Sequence, residues 1–510
     1  MARASASHGT WSSAPKMGPG VLILVGVVLL LGLGYVIVAY GASPGLGAIA
    51  IPPLILGLRS VFIDPKKALW SVLAFGFLLS FFSRYFPVFT FGLVVDIALA
   101  ATFLILFIRD YRKIPFARAN NIITLLMVLW MIYMLLELVN PEAHSAQAWF
   151  YSMRGIALYQ VLLIPLGFML LDSRKDFYIY LYIWIGLSWL GIFWGMKQQY
   201  FGLGPVEQAW LDNGQYKTHL LFGQLRIFSY YFDAATFGAA MAQLCIVCAI
   251  MMLGPFSKRK KLFFAATALF SFYGMMLSGT RGALSIPGVG ALLFLVLSKQ
   301  TRILLFGILF LLGSFYFLKY TSIGHSNYHV QRLRTALDPN DASLNTRFRN
   351  RALLTVYLQG KPFGGGVGTT SSFGRRFSPG TWLSNFEPDG LYTRIRAETG
   401  IVGRNFYVGM WLLILIRGSW RTLRMAPGEN KTIAMALLAA FAGILMSNYG
   451  NPVMSQFPIS LLTFLSLVFI EQSYTWNEEG QEVEPSTVHP QKRIRSKLKR
   501  SMLGLKSNKG

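Results

Sequence analysis

The sequence predicts an all-α fold, a polytopic transmembrane helical bundle of about 12–14 spans with a large, partly helical extracytoplasmic loop. One observation is compositional: only 13% of the 510 residues are charged, whereas a soluble globular chain carries about 25%. The other is local, since apolar runs of roughly 17–22 residues recur along the chain, close to the ~20 that a helix needs to cross a bilayer. A surface that faces lipid explains both observations.

Each predicted span is an apolar run bounded by polar or charged residues. The spans lie at about 20–40, 45–63, 68–83, 87–108, 122–139, 153–171, 177–196, 234–254, 262–278, 282–298, 303–320, 401–416, 433–450 and 455–471. The first span follows a polar N-terminal segment and is too long for a signal-peptide core, so we expect it to be retained. Pro52 and Pro53 are expected to kink the second span.

These spans divide the chain into five parts. They are a cytoplasmic N-terminal tail (1–19), about eleven spans (20–320), a large extracytoplasmic loop (321–402), about three further spans (403–471) and a cytoplasmic basic tail (472–510).

The orientation follows from Lys and Arg, which cluster on alternate connections as the positive-inside rule requires. The segment 258–261 reads Lys-Arg-Lys-Lys, for example, whereas 41–43 and 140–147 contain neither residue type. Both termini are therefore predicted in the cytoplasm. The net charge of +26 is interpreted as loop and tail charge that fixes orientation and touches anionic lipid. No zinc-finger, helix-turn-helix or RNA-binding pattern supports a nucleic-acid partner.

The residues that commonly bind metals do not form a complete ligand set. Cys245 and Cys248 lie within an apolar span, where we interpret them as small buried hydrophobic residues. His325 and His329 are four residues apart, but no third ligand is evident. The sequence therefore predicts neither a metal site nor a cofactor.

Two outward-facing segments, 197–233 and 321–404, are too long and too charged to be simple turns. The second contains many more arginines than acidic residues. Its basic residues are Arg332, Arg334, Arg347, Arg349, Arg351, Lys361, Arg375, Arg376, Arg394, Arg396 and Arg404. Guanidinium groups bind phosphate oxygens bidentately and stay charged, so this excess favours an anionic ligand. The alternative is a solvated loop with internal ion pairs such as Arg394–Glu398, at helical i,i+4 spacing.

Other charged residues lie at or inside predicted spans. Arg281 belongs to the minimal turn SGTRG (278–282), and Arg226 precedes the span that begins at 234, so both lie near the outer membrane boundary. Arg281 is well placed there for a lipid-linked phosphate, or alternatively as a snorkelling anchor. Asp96 lies inside a span and Arg154 at the outer end of another; each is either functional or a structural partner.

The segment 361–368 reads KPFGGGVG and is rich in glycine. It lacks the Gly-Lys-Ser/Thr step of a P-loop, and ATP is not expected on the outer side. We interpret it as a close backbone approach or a tight loop.

Four short patterns occur in order between Arg226 and Arg404. They are RIFSYYFDAATFG, SGTRGAL, RFRNRALLTVYLQGKPFGGGVG and EPDGLYTRIRAETGIVG. Together with the predicted architecture, they resemble the superfamily of O-antigen ligases and of O-antigen and exopolysaccharide polymerases, which are membrane glycosyltransferases. Members of that superfamily transfer glycan from a polyprenyl-diphosphate carrier to an acceptor hydroxyl on the outer face of the bacterial inner membrane.

The resemblance implies a metal-independent, inverting glycosyl transfer. Arg226 and Arg281 fall where the diphosphate-binding arginines of the family are expected, and Arg154 extends that group. Further contacts to glycan or phosphate are expected from loop arginines, namely Arg347, Arg351, Arg394 and Arg396. The implied partners are a polyprenyl-diphosphate-linked oligosaccharide, membrane lipids, and a chain-length regulator or flippase of the same pathway.

The sequence departs from the family in two places. The ligases often have a His-Asn or His-Ser pair about ten residues before a Glu-x-Gly step, and Asp389-Gly390 stands there instead. Asp389 is therefore the predicted general base, with Glu398 of the Glu-x-Gly step as a second catalytic candidate. Asp-Ala-Ala-Thr (233–236) stands where a Pro-Asn step is common. These departures favour a polymerase over a ligase that attaches glycan to a lipid core.

A rival interpretation comes from another functional class. A secondary transporter or a lipid-linked oligosaccharide flippase would also have about fourteen spans. However, the sequence shows no convincing internal repeat, and its charge is concentrated in one outer loop. A structural scaffold for an envelope complex is a third alternative, which would have no particular need for Arg226 or Arg281.

Overall fold

The computed structural model describes residues 63–476, except 88–89, 111–113, 222, 300, 324–330, 332–333 and 335–341. The chain divides into two units, Met1–Lys67 and Ala68–Gly510, and the features below belong to the second, apart from the first two residues of α1. Several predictions lie outside the described residues. These are the N-terminal tail, the span 20–40, all but the last residue of the span 45–63, His325, His329, Arg332 and the C-terminal tail beyond Trp476.

Helices make up most of the described chain. They are α1 (Lys66–Tyr85), α2 (Gly92–Asp110), α3 (Phe116–Ala119), α4 (Ile122–Leu136), α5 (Ala146–Met153), α6 (Tyr159–Leu170), α7 (Arg174–Tyr200), α8 (Pro205–Trp210), α9 (Tyr216–His219), α10 (Ala234–Leu253), α11 (Lys258–Leu277), α12 (Ser285–Ser298), α13 (Thr301–Tyr320), α14 (Ala342–Tyr357), α15 (Ser371–Phe377), α16 (Leu391–Leu423), α17 (Glu429–Ser447) and α18 (Ile459–Ser473).

Shorter elements connect or extend these helices. Four are 3-10 helices, at Glu137–Val139, Arg281–Leu284, Leu383–Asn385 and Val453–Ser455. Two are π-helical turns, at Arg154–Leu158 and Leu211–Gln215. The strands β1 (Leu220–Leu221) and β2 (Gln224–Leu225) form an antiparallel hairpin in which Leu220 pairs with Leu225 and Leu221 with Gln224.

Within the described part of the chain, 8 helices are long and apolar enough to cross a membrane. They are Lys66–Tyr85, Ile122–Val139, Ala146–Leu170, Arg174–Tyr200, Ala234–Leu253, Arg281–Ser298, Leu391–Leu423 and Glu429–Ser447. Gly92–Ile108 and Ile459–Ser473 are shorter apolar helices. Every predicted span from 68–83 onward overlaps a helix. The described chain is mostly helical and contains several helices apolar enough to span a membrane, which agrees with the all-α part of the predicted fold class.

The core of the bundle consists of helices that are apolar on all sides. In α10 and α17, 83% and 94% of the most apolar window is buried, which is expected of helices surrounded by other helices. α10 packs against α11, α12 and α17, while α18 packs against α17 and α6. Gly290 of α12 and Gly443 of α17 let the two backbones approach, because a Cβ on Gly290 would lie 2.8 Å from the carbonyl oxygen of Ala439.

Polar cap residues explain where several helices begin. Asn121, Ser145, Ser173, Asp233 and Ser257 each accept a hydrogen bond from a backbone N–H of the first turn that would otherwise lack an intrahelical partner. The helix starts therefore have a local cause, since each cap residue and the N–H it binds lie within one turn of the chain.

The glycine-rich segment 361–368 packs against a kink in α16. Gly400 there has φ 68° and ψ −163°, a conformation that is essentially restricted to glycine. The carbonyls of Ala397 and Glu398 accept hydrogen bonds from Gly365 N–H (2.9 Å) and Gly366 N–H (3.0 Å). The kink therefore frees carbonyls that the glycine-rich segment satisfies, and a close backbone approach is the correct interpretation of this segment.

Gly400→Ala is expected to lower the free energy of unfolding by on the order of 2 kcal/mol, because of backbone strain. The new Cβ would also overlap the carbonyl oxygen of Pro362. Gly409→Ala in the same helix is the matched control, since a Cβ there meets no atom within 4 Å and alanine favours helix. The melting temperatures of the two purified variants are measured in detergent. If Gly400→Ala and Gly409→Ala unfold at the same temperature, this account of the kink is wrong.

Candidate functional site

The hairpin formed by β1 and β2 positions Arg226, which follows it directly. The Arg226 backbone N–H donates to the carbonyl of His219 at 2.8 Å. Its guanidinium donates to the carbonyl oxygen of Thr218 at 2.9 Å and to Oγ1 of Thr280 at 2.8 Å. The Arg226 side chain is thus held in one orientation at the end of the bundle where α10 begins.

Thr280 joins Arg226 to the turn between α11 and α12. Its hydroxyl donates to the carbonyl of Ala234, the first residue of α10, at 2.9 Å. Arg281 is the next residue and begins the 3-10 helix that leads into α12. Arg226 therefore binds the residue that precedes Arg281 in the chain, although Arg281 does not line the cavity described below.

A cavity of about 590 Å³ lies beside Arg226. Most of its lining comes from the end of α1, the segment between α7 and α10, and the start of α10. The lining residues are Leu79, Ser80, Ser83, Arg84, Trp210, Gln215, Thr218, His219, Arg226, Phe232, Asp233, Ala234, Ala235 and Asn451. Among them, only Arg226 was predicted as a site residue.

Arg84 is a second cation in this cavity wall, although only 9% of it is exposed. Its guanidinium donates to the carbonyls of Ser229 (3.1 Å) and Tyr231 (2.7 Å). It also lies 4.4 Å from the ring centroid of Trp210 and 4.6 Å from that of Phe228, a cation–π arrangement. The sequence marked Arg84 only as the single basic residue of its connection, and nothing local to it indicates these partners.

His219 is buried in the wall between Trp210 and Phe228. Its Nδ1 lies 3.0 Å from the carbonyl oxygen of Gln215, and its Nε2 lies 3.3 Å from the backbone nitrogen of Ala234. This network assigns the proton to Nδ1 and leaves Nε2 as an acceptor. Burial lowers the pKa of His219, and the cationic neighbours Arg226 and Arg84 act in the same direction, against Gln215 and Asp233. The imidazole is therefore neutral near pH 7.

Glu207 anchors the segment between α7 and α10 and is fully buried. Its carboxylate accepts hydrogen bonds from Trp194 Nε1 (2.7 Å), Lys197 Nζ (3.0 Å), Gln198 Nε2 (2.8 Å) and the Gly204 N–H (2.7 Å). Burial raises the pKa of Glu207, but these donors outweigh burial and hold it below its ordinary value. The carboxylate is therefore ionised and fully satisfied.

Gln198 extends this network to the residues that follow Arg226. Its side-chain amide donates to the carbonyl of Ser229 at 3.1 Å and accepts from the Ser229 N–H at 2.8 Å. The Ser229 hydroxyl in turn donates to the carbonyl of Gly191 in α7 at 2.6 Å. The wall of the cavity is thus bonded to α7 through Glu207 and Gln198, two residues that the sequence did not single out.

Several residues of the predicted outer loop contact the turn 448–451, which lies between α17 and the next 3-10 helix. Arg351 donates to the carbonyl of Tyr449 at 3.0 Å, and its guanidinium lies 3.8 Å from the ring centroid of Tyr449. Arg347 packs against Gly450, whose Cβ, if present, would lie 3.2 Å from Nη1. Asn451 of the same turn lines the cavity and packs against Gly282, next to Arg281. The turn therefore connects α14 to the cavity wall.

Asp389, the predicted general base, borders this turn but does not line the described cavity. Its Oδ2 lies 3.4 Å from Nδ2 of Asn350, and it precedes the start of α16, where the Leu391 N–H donates to the carbonyl of Asn448 at 2.9 Å. The side chain is half-buried.

Glu398 and Arg394 form the predicted i,i+4 ion pair inside the protein. Glu398 is fully buried, and Arg394 Nε donates to its Oε1 at 3.1 Å. Thr370 Oγ1 (2.6 Å) and Ser152 Oγ (3.0 Å) also donate to this carboxylate. The group joins α16 to α5 and to the start of α15, which leaves Glu398 no exposed surface for a substrate. Arg396, on the same helix, is half-buried and does not line the cavity.

Arg154 and Asp96, the two charged residues predicted within or beside spans, pair with each other. Arg154 Nε lies 2.7 Å from Asp96 Oδ2, and Arg154 Nη2 donates to the hydroxyl of Tyr159 at 3.1 Å. The pair supports the structural interpretation of Asp96 and places the Arg154 guanidinium against α2 rather than in the described cavity wall.

Comparison of the chain with known proteins finds no matching family model and no matching curated protein. Among the described residues, no group of three or more His, Cys, Asp or Glu side chains is placed to hold a metal ion. Cys245 and Cys248 are buried free thiols in α10, which fits their interpretation as small hydrophobic residues.

Glu207→Gln is expected to lower the free energy of unfolding by about 2 kcal/mol, because a neutral amide cannot accept from all four donors. Asp212→Asn, an exposed acid of the same segment, is the matched control and should change stability by less than about 0.5 kcal/mol. Thermal unfolding of the purified proteins gives the comparison. If both variants have the melting temperature of the wild type, Glu207 does not stabilise the segment between α7 and α10.

Proposed function

We propose that this protein is a polysaccharide-assembly glycosyltransferase of the polymerase type. It moves glycan from a polyprenyl-diphosphate carrier to an acceptor hydroxyl on the outer face of a bacterial inner membrane. The observation that carries the proposal is the position of Arg226, which lines a cavity and hydrogen-bonds to the residue before Arg281. Two arginines at a boundary between helix ends and polar connections suit a lipid-linked diphosphate.

The proposed topology has about fourteen spans, with both termini in the cytoplasm and the segment 321–402 outside. In this orientation, the cavity lies at the outer ends of α1 and α10. The carrier's diphosphate would then lie level with the polar cavity wall, and its isoprenoid chain would extend into the bilayer.

The cavity supplies the electrostatic part of the reaction. As the bond between the anomeric carbon and the carrier breaks, negative charge develops on the leaving diphosphate. The guanidinium groups of Arg226 and Arg84 stabilise that charge, and both are already fixed by hydrogen bonds, so little reorganisation accompanies the reaction. Burial of the cavity wall strengthens this interaction relative to water.

The loop arginines suit contacts to the glycan. Arg347 and Arg351 lie at the turn 448–451, which also carries Asn451 into the cavity wall. A growing glycan that leaves the cavity along this turn would pass both guanidinium groups. A chain-length regulator or a flippase of the same pathway remains the expected protein partner.

A ligase that attaches glycan to a lipid core is the alternative within the same chemistry, and Asp389 in place of histidine argues against it. A flippase is the alternative from another class. A flippase needs polar groups along a path across the bilayer, whereas the charged cavity residues described here lie at helix ends. The Arg154–Asp96 pair, inside the bundle, is neutral as a unit and offers no such path.

Arg226→Ala is expected to reduce glycan assembly by about 100-fold or more, because it removes a fixed donor to the leaving group. A comparable loss is expected for Arg281→Ala, because the proposed diphosphate site uses that guanidinium as well. Lys217→Ala, an exposed cation in the same segment as Arg226, is the control and should retain assembly. Surface glycan length and carrier-linked intermediates are measured in a strain that lacks the gene and expresses each variant at wild-type level.

The same experiment separates the two classes of function. A polymerase defect leaves single repeat units on carrier lipid at the outer face, whereas a flippase defect leaves them at the inner face. Normal glycan length in both arginine variants would contradict the proposed diphosphate site.

A further inference from the structure

Asp233 is the acidic side chain in the wall of the cavity, directly before α10. Its Oδ1 accepts a hydrogen bond from the Thr236 N–H at 2.7 Å, the usual geometry of a helix N-cap. The Thr236 hydroxyl oxygen lies 2.8 Å from the same Oδ1. Oδ2 makes no hydrogen bond to any residue in the described part of the chain. One oxygen of the carboxylate is therefore fixed by the helix, and the other remains available as an acceptor.

The cavity wall around Asp233 carries two cationic side chains. Arg226 and Arg84 are the charged groups that line the same cavity, and His219 is the remaining titratable one. His219 cannot easily accept a substrate proton, because it is 3% exposed and its Nε2 already accepts from the Ala234 N–H. The acceptor oxygen of Asp233 and the guanidinium of Arg226 thus lie on one cavity.

The two carboxylates that the sequence favours are less well placed. Glu398 is fully buried, and Ser152, Thr370 and Arg394 occupy its oxygens. Asp389 lies at the turn 448–451 and is not part of the wall of this cavity. A general base must lie within hydrogen-bond reach of the proton it removes, close to where the leaving group is held. Asp233 meets that requirement next to Arg226.

We propose that Asp233 is the catalytic general base, and this inference rests on the proposed function. Its Oδ2 removes the proton of the acceptor hydroxyl as the acceptor oxygen forms a bond to the anomeric carbon of the donor sugar. The bond from that carbon to the diphosphate oxygen breaks, and its electron pair leaves with the diphosphate beside Arg226. The protonated carboxyl then returns its proton to water, so the charge of the site is restored.

The N-cap explains how the base is kept in place. The Thr236 N–H fixes Oδ1, and the fixed oxygen sets the direction of Oδ2. The same hydrogen bond ties the base to the first turn of α10, one of the most buried helices of the bundle. A base supported by a rigid helix holds its distance to the cavity better than one on a loop.

Asp233→Asn tests the role of the carboxylate without removing the cap, because asparagine caps helices as well as aspartate does. In the complementation assay, this variant is expected to lose glycan assembly by about 100-fold or more, the usual contribution of a general base. Purified wild type and variant in nanodiscs are titrated with undecaprenyl diphosphate as the probe. The variant should bind the probe at least as tightly as the wild type, because it lacks a negative charge near the diphosphate.

Further variants make every outcome informative. Asp233→Ser also preserves a cap and lacks a base, so it should reproduce the Asn result if the Asn protein proves unstable. Wild-type glycan assembly in Asp233→Asn would overturn the proposal. The proposal would also fail if Asp389→Asn loses glycan assembly while Asp233→Asn retains it. If Arg226→Ala still impairs assembly and probe binding in either of those cases, the proposed function stands and only the base is wrong. If Arg226→Ala also behaves as wild type, the proposed function fails.

Discussion

The buried carboxylate of Glu207 holds the segment between α7 and α10 in its folded form. Leaving an ionised group without water is costly unless hydrogen bonds replace its solvation, and four donors from α7 and Gly204 do so. Gln198 is hydrogen-bonded to Ser229, and the carbonyls of Ser229 and Tyr231 accept hydrogen bonds from Arg84. Glu207 therefore attaches to α7 the segment that carries His219 and Arg226 in the cavity wall.

Two ion pairs lie in the interior of the described bundle, Arg154–Asp96 and Arg394–Glu398. An isolated charge there would be strongly disfavoured, so such pairs are expected structural features. At the cavity, Arg84 donates to the carbonyl oxygens of Ser229 and Tyr231, and Arg226 donates to the carbonyl oxygen of Thr218 and to the hydroxyl of Thr280. Guanidinium groups fixed in this way are what the proposed diphosphate site requires.

The turn 448–451 contacts both the large loop segment and the cavity. Arg351 is attached to Tyr449, the start of α16 to Asn448, and Asn451 reaches the cavity wall. A displacement of α14 would therefore move a residue that lines the cavity. The helical elements between 342 and 423 are connected to the proposed chemistry through backbone contacts rather than by charge alone.

The sequence by itself determined the helices of this protein, and it identified Arg226 and Arg281 as residues of interest. Hydropathy is a local property of the chain, so helices that overlap the predicted spans from 68–83 onward could be expected without knowledge of packing. Tertiary structure alone decided which charged residues meet. Arg84 and the Ser229 carbonyl are 145 positions apart, and Arg154 finds Asp96 on another helix. Asp233 was visible in the sequence only as a departure from a pattern, because its position on the cavity depends on how α1, α10 and the anchored segment pack together.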